Sequence, residues 1–207
     1  MQNSDIRTIE KKIWISYFQD GLIDIFIGCV VLLFAIASLL SERLGDFWSS
    51  FIFLPFWALI YLCILLIKKY ILLPRIGVVH FGPMRTKKLL TFNIIMVGVL
   101  SLGFVLGIIS FIDFNLPRWI HLARFGLIVL IGSILAGYYL DFPHLYLYGF
   151  LFVLSLIIGE WLWENLQVPH HGFPVIFGFT AGLIIFIGLI KFIRLHHQNP
   201  VSLRGDG

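Results

Sequence analysis

Six long apolar runs constrain the fold of this chain more than any other feature of its sequence. Each has the length of about 17 to 25 residues that an α-helix needs to cross the hydrocarbon core of a bilayer. They occupy 22–40, 47–67, 89–112, 122–140, 145–163 and 173–193. Lipid offers the backbone no hydrogen-bond partner, and the runs do not alternate as barrel strands do. We therefore predict an all-α, polytopic membrane protein with six transmembrane helices in a single membrane domain, 1–207.

The composition agrees with this class and excludes several others. Of the 207 residues, 59% are hydrophobic and 13% are charged, whereas a typical soluble domain has about 25% charged residues. A chain so poor in charge cannot cover a water-facing surface. The two cysteines are also too few for a small secreted scaffold held by disulfides.

The basic residues predict how the helices are oriented. Cytoplasmic loops carry an excess of Lys and Arg, and all but three of the 15 Lys and Arg residues lie on one side of the predicted spans. These are Arg7, Lys11 and Lys12 before the first span, Lys68, Lys69, Arg75, Arg85, Lys87 and Lys88 in the loop 68–88, and Lys191, Arg194 and Arg204 at the end. The pattern places both termini in the cytoplasm and the chain in the cell (inner) membrane. It explains the net charge of +4 without a nucleic-acid partner.

Residues 4–19 predict a different kind of element. Ile6, Ile9, Ile13 and Tyr17 recur at helical spacing, and charged residues occupy the opposite face. Such a pattern is typical of an amphipathic helix that lies in the membrane interface.

Charged residues also gather on the predicted cytoplasmic side. The loop 68–88 has six basic residues and no acid, and each basic residue near an anionic leaflet contributes about 1 kcal/mol of attraction. We therefore expect this loop to contact anionic lipid. Asp20 and Asp24, one helical turn apart, either cap the first span or contact the basic loop.

Small residues four positions apart predict which helices pack closely, because membrane helices associate where their backbones can approach. The pairs are Gly103 with Gly107, Gly132 with Ala136, Ser133 with Gly137, Ser155 with Gly159, and Gly178 with Gly182. They predict a tight core of spans three to six. Spans one and two are expected at the periphery, facing the lipid bilayer or a protein partner.

Polar chemistry concentrates at the predicted outer ends of the last three spans. Ionisable groups in membrane helices are costly and often functional. The residues are His121, Arg124, Glu160, Glu164, His170 and His171. The first two are at i, i+3 and the two glutamates at i, i+4, spacings that place each pair on one helix face.

Three interpretations of these six residues stay open. Arg124 and His121 bind an anionic or polar solute through charge-assisted hydrogen bonds, or the Glu and His side chains hold Zn²⁺. In the third, the groups lie in the wet headgroup region and pair with each other, as structural ion-pair networks do. The sequence identifies neither a metal nor a cofactor.

Two segments, 19–25 (QDGLIDI) and 74–83 (PRIGVVHFGP), resemble those of uncharacterised small multi-span prokaryotic integral membrane proteins. The resemblance covers roughly the first ninety residues and implies no activity. In architecture, six spans with polar groups at the outer ends of the last three are similar to the substrate-binding subunits of energy-coupling-factor vitamin transporters. The first span lacks the Ala-x-x-x-Ala pattern of those subunits.

The sequence as a whole favours an integral membrane protein that binds a small solute in a polar pocket on the extracytoplasmic side, as a subunit for transport or sensing. A membrane-embedded, metal-dependent enzyme and a non-catalytic scaffold subunit are the alternatives.

Overall fold

The computed structural model describes residues 20–51, 53–72, 83–112 and 118–198, and these are helical apart from short turns. The α-helices are α1 (Leu22–Phe51), α2 (Phe53–Ile67), α3 (Pro83–Ile112), α4 (Arg118–Leu140), α5 (His144–Leu166) and α6 (Phe173–Gln198). A π-helical turn, Lys68–Leu72, follows α2, and a 3₁₀ turn, Pro169–Gly172, precedes α6. Six segments are long and apolar enough to cross a membrane, which confirms the predicted all-α class and the six spans.

Helix bounds differ from the predicted spans mainly at polar ends. α3 begins at Pro83, a residue well suited to the first turn because its missing N–H would be unpaired there anyway. Arg85, Lys87 and Lys88 are therefore helical, so both ends of the segment predicted as the loop 68–88 belong to helical elements. The predicted interfacial helix 4–19 and the segment 73–82 lie outside the described residues.

The described helices belong to two compact units, the first formed by α1, α2 and α6. Glycines bring α1 and α6 into backbone contact. A Cβ on Gly188 would lie 2.8 Å from the carbonyl oxygen of Gly21 and 2.8 Å from the amide nitrogen of Ile25. Gly28 is equally close to α6, since its Cβ would lie 3.0 Å from the Ile185 nitrogen. Only glycine permits this separation between two helices.

Two carboxylates with no exposed surface hold the ends of these three helices together. Asp20 lies 3.2 Å from Lys68 of the π-helical turn, and Asp24 accepts a 2.9 Å hydrogen bond from Lys191 of α6. Asp20 also accepts a 2.9 Å hydrogen bond from the backbone N–H of Leu22. Asp20 thus has both of its predicted roles, as a cap and as a contact to the basic segment. Burial raises the pKa of Asp20 above its usual range, although Lys68 and the backbone N–H groups oppose the effect.

The second unit contains α3, α4 and α5. α4 contacts α5 closely on one face, where a Cβ on Gly149 would lie 2.5 Å from the Ser133 Cβ and one on Gly137 would lie 3.0 Å from the Tyr146 ring. This contact agrees with the prediction that Ser133 and Gly137 mark a packing face. Gly132 faces Val99 of α3 more loosely, since its Cβ would lie 3.8 Å from that side chain.

Asp141, in the turn between α4 and α5, ties that turn to the start of α3. It accepts hydrogen bonds from Arg85 at 2.8 Å and Lys88 at 2.9 Å. Burial alone raises the pKa of Asp141, but the hydrogen bonds and charges of the two basic residues outweigh it, so that the pKa lies below its ordinary value. Within each unit, ion pairs between oppositely charged residues at adjoining helix ends thus stabilise the helix contacts.

Three packing predictions are wrong within these units. α1 is not peripheral, because Leu22, Val31, Leu33 and Ala35 are buried. α3 does not belong to a tight core, since none of its span is buried and Phe104 is 71% exposed. The pair Gly178 and Gly182 also marks no contact, because a Cβ on either glycine would have no described atom within 4 Å. In contrast, α2 is largely exposed, as predicted.

Breaking the Asp24–Lys191 pair is expected to destabilise the protein strongly. Removing one partner of a buried ion pair costs about 3 kcal/mol or more, so Asp24→Asn should lower the free energy of unfolding by about that amount. The double variant Asp24→Leu with Lys191→Leu should recover part of the loss, because no buried charge is left alone. Denaturant unfolding in detergent measures both. Arg194→Gln, at an exposed position of the same helix, is the control, and an Asp24→Asn variant as stable as this control would contradict the prediction.

Asp20 and Asp141 are expected to give stability opposite dependences on pH. The folded state holds the Asp20 proton more tightly than the unfolded state. Asp20 therefore adds to the free energy of unfolding at low pH, and this contribution is lost as the pH rises from about 4 through its raised pKa. Asp141 adds to the free energy of unfolding above about pH 4, and this contribution is lost as the pH falls through its lowered pKa. Unfolding midpoints of Asp20→Asn and Asp141→Asn across this range test both signs. A wild-type pH profile that neither substitution changes would refute them.

Candidate functional site

A cleft with a cavity volume of about 510 Å³ lies between α4 and α5 of the second unit. α4 contributes Trp119, Leu122, Ala123, Gly126, Leu127 and Leu130, and α5 contributes Val153, Leu156, Ile157, Glu160, Trp161 and Glu164. These residues recur every three or four positions on each helix, which aligns them along facing stripes. The volume falls within the range of about 300 to 1,000 Å³ that is typical of small-molecule sites.

The two ends of the cleft differ in chemistry. Toward Leu130 and Val153 the lining is aliphatic, and Gly126 leaves room because its hydrogen stands where a Cβ would contact Leu156 at 3.5 Å. At the other end are two carboxylates, Glu160 and Glu164. As their i, i+4 spacing predicts, the two glutamates lie on one face of α5 and line the same site.

Trp119 and Trp161 line the same end of the cleft as the carboxylates. The sequence predictions give these tryptophans no part in a site. A signal for it is present, because Trp161 and Glu164 are three residues apart and both share a helix face with Ile157.

Glu160 is the more buried of the two carboxylates and is held in place by His171. The His171 Nδ1 lies 3.1 Å from Glu160 Oε2, and the His171 ring lies over Trp163 with 4.4 Å between centroids. The hydrogen bond and the ring contact together fix the orientation of the Glu160 side chain.

The chain reverses sharply to bring His171 back to α5. α5 ends at Leu166, the next residue Gln167 has a left-handed φ of 52°, and His170 and His171 have φ of 55° and 56°. Residues with side chains rarely adopt this conformation, and it costs of order 1 kcal/mol or more at each position. The turn is therefore a specific feature that positions His171 against Glu160.

His121 and Arg124 are not part of this cleft. At 100° per residue, His121 falls on the side of α4 opposite Ala123 and Gly126, and Arg124 falls between that side and the cleft face. The six polar residues predicted for one pocket are thus divided. Glu160 and Glu164 line the cleft, His171 contacts Glu160, and His170 lies beside it in the 3₁₀ turn. His121 and Arg124 lie elsewhere on α4. Within the described part of the chain, no three His, Cys, Asp or Glu side chains come together as metal ligands would.

These observations define the class of protein. The six apolar helices are consistent with an integral, multi-pass membrane protein, and α4 and α5 form a cleft that is apolar with acid groups at one end. No family model, curated protein or solved structure matches the chain. The chemistry of the cleft is therefore the guide to function.

Proposed function

We propose that the protein binds an amphipathic molecule with a positively charged group in the α4–α5 cleft, as the binding subunit of a transport or sensing system. The observation that carries this proposal is the pair of carboxylates, Glu160 and Glu164, at one end of an otherwise apolar cleft. The sequence alone favours a polar or anionic solute. The cleft favours the opposite charge and an apolar body.

The apolar lining supports a ligand with hydrocarbon or aromatic surface. Leu122, Leu127, Leu130, Val153 and Ile157 line the cleft, and each Å² of apolar surface removed from water contributes about 25 cal/mol. A small, fully hydrated ion gains nothing from such a surface.

The acidic end supports a cationic group. Two carboxylates one helical turn apart attract a positive charge, and an aromatic face such as that of Trp161 attracts it further through cation–π interaction. Because His171 orients Glu160 at 3.1 Å, this carboxylate is preorganised, while Glu164 is exposed at the mouth. Preorganisation reduces the entropy lost on binding.

The cellular setting is proposed on the sequence pattern of basic residues. We propose an inner-membrane location with both termini in the cytoplasm, so that Glu160 and Glu164 lie toward the extracytoplasmic side. Lys69 and Lys87 are exposed near the ends of the undescribed segment 73–82, which supports contact of this region with anionic lipid.

Binding of tetraphenylphosphonium, an apolar cation, tests the proposal. Equilibrium dialysis with the detergent-purified protein should detect saturable binding, and Glu160→Gln and Glu164→Gln should each weaken it by about tenfold, the effect of one charge-assisted contact. Ala123→Leu, which places a larger side chain in the cleft, should abolish binding.

Two controls make this experiment specific. Tetraphenylborate has a similar shape and the opposite charge, and should not bind saturably. Ala58→Leu, at an exposed position of α2, should leave binding unchanged. Equal binding of both ions, or a cation affinity that no cleft substitution alters, would refute the proposal.

A further inference from the structure

We propose that His121 and Arg124 form a second site, separate from the α4–α5 cleft, that binds a phosphate group. Arg124 Nη1 and His121 Nδ1 are both buried from solvent, and neither has a hydrogen-bond partner among the described residues. This observation is independent of the cleft and of the function proposed for it.

The buried Nη1 of Arg124 requires a partner, because a polar N–H removed from water is costly unless it donates a hydrogen bond. In native structures nearly all buried polar atoms are hydrogen-bonded to protein or to another bound group. No described ion pair includes Arg124, while Asp20, Asp24, Asp141 and Glu160 all lie within hydrogen-bond or ion-pair distance of other residues. Glu164 is exposed and lines the α4–α5 cleft, to which Arg124 does not belong. No described ion pair therefore compensates the charge of Arg124, and an anion from outside the chain would compensate it.

The placement of the two residues on α4 supports a common ligand. They are three positions apart, so their side chains lie on neighbouring parts of one helix face. His121 also falls on the same stripe as Ile128 and Gly132, which contact Gly103 and Val99 of α3. The site therefore lies toward the α3 side of α4, away from Glu160 and Glu164, whose charge would repel an anion.

Phosphate is the anion whose chemistry fits these donors. The guanidinium is a planar fork that binds two oxygens of one phosphate together, and further oxygens remain for the imidazole N–H. Both residues lie within the first two turns of α4, at the end of an apolar span, a depth at which lipid phosphates occur. The phosphate group comes either from a lipid headgroup or from free phosphate in solution.

Binding measurements on delipidated, detergent-purified protein test the site. One arm adds phosphatidylglycerol and counts bound lipid by native mass spectrometry, and the other titrates inorganic phosphate calorimetrically against sodium chloride of equal ionic strength. We expect saturable binding in at least one arm. Arg124→Gln should weaken it by about tenfold or more, the loss of a charge-assisted contact, and Arg124→Lys should weaken it less because the charge is kept.

His121→Gln provides a second variant if Arg124→Gln does not fold, and it should also weaken binding. Arg194→Gln removes an exposed basic residue of α6 and should bind like the wild type. Binding in the lipid arm alone identifies a headgroup as the source, and binding in the phosphate arm identifies the free ion.

Three results would overturn the proposal. The first is no binding to the wild type in either arm, and the second is wild-type affinity in all His121 and Arg124 variants. The third concerns Asp113, which precedes α4 in the sequence. If Asp113→Asn destabilises the protein as much as Arg124→Gln and phosphate stabilises neither the wild type nor the variants, the partner of Arg124 is a carboxylate of the chain itself.

Discussion

The cost of leaving a charge without a partner in an apolar environment is the constraint on which this structure depends. Few residues of the chain are charged, and several of those at the described helix ends are arranged in opposite pairs. Asp20 with Lys68 and Asp24 with Lys191 join α1 to the end of α2 and to α6, while Asp141 joins the α4–α5 turn to the start of α3. The ion pairs define which ends meet.

Close backbone contact is the second determinant, and it depends on residues that have almost no side chain. Gly21, Gly28 and Gly188 allow α1 and α6 to touch, and the same proximity places Asp24 within reach of Lys191. Ser133 and Gly149 do the same for α4 and α5. The cleft then opens along the same two helices where the facing residues Ala123 and Gly126 are again small. Tight packing and an open site thus both depend on small residues, placed on the same α5-facing side of α4 but at different positions along the helix.

Much of the fold follows from the sequence, because span length and hydrophobicity are set by a bilayer of fixed thickness. The six spans, and the pairing of Glu160 with Glu164, are local properties of this kind. Which helices pack against each other is not a local property of the sequence. A glycine pair such as Gly178 and Gly182 has the spacing of a contact face without being one, whereas Gly188 contacts α1 with no such partner in the pattern. The separation of His121 and Arg124 from the glutamates depends on how α4 is rotated about its axis, which residue spacing within one helix does not determine.

The pairing of Asp24 with Lys191 joins residues 167 positions apart, and this separation has a consequence for biogenesis. The second unit is built from α3, α4 and α5, which are consecutive in the chain, so its contacts can form as soon as α5 has been synthesised. The first unit needs α6, the last described helix to leave the ribosome. Until then α1 has neither the glycine contact nor the cation that its buried carboxylate requires, and it must wait in the membrane or at its surface. The first unit is therefore completed by the joining of α1 to α6, and a truncated chain that lacks α6 would leave the Asp24 carboxylate without Lys191.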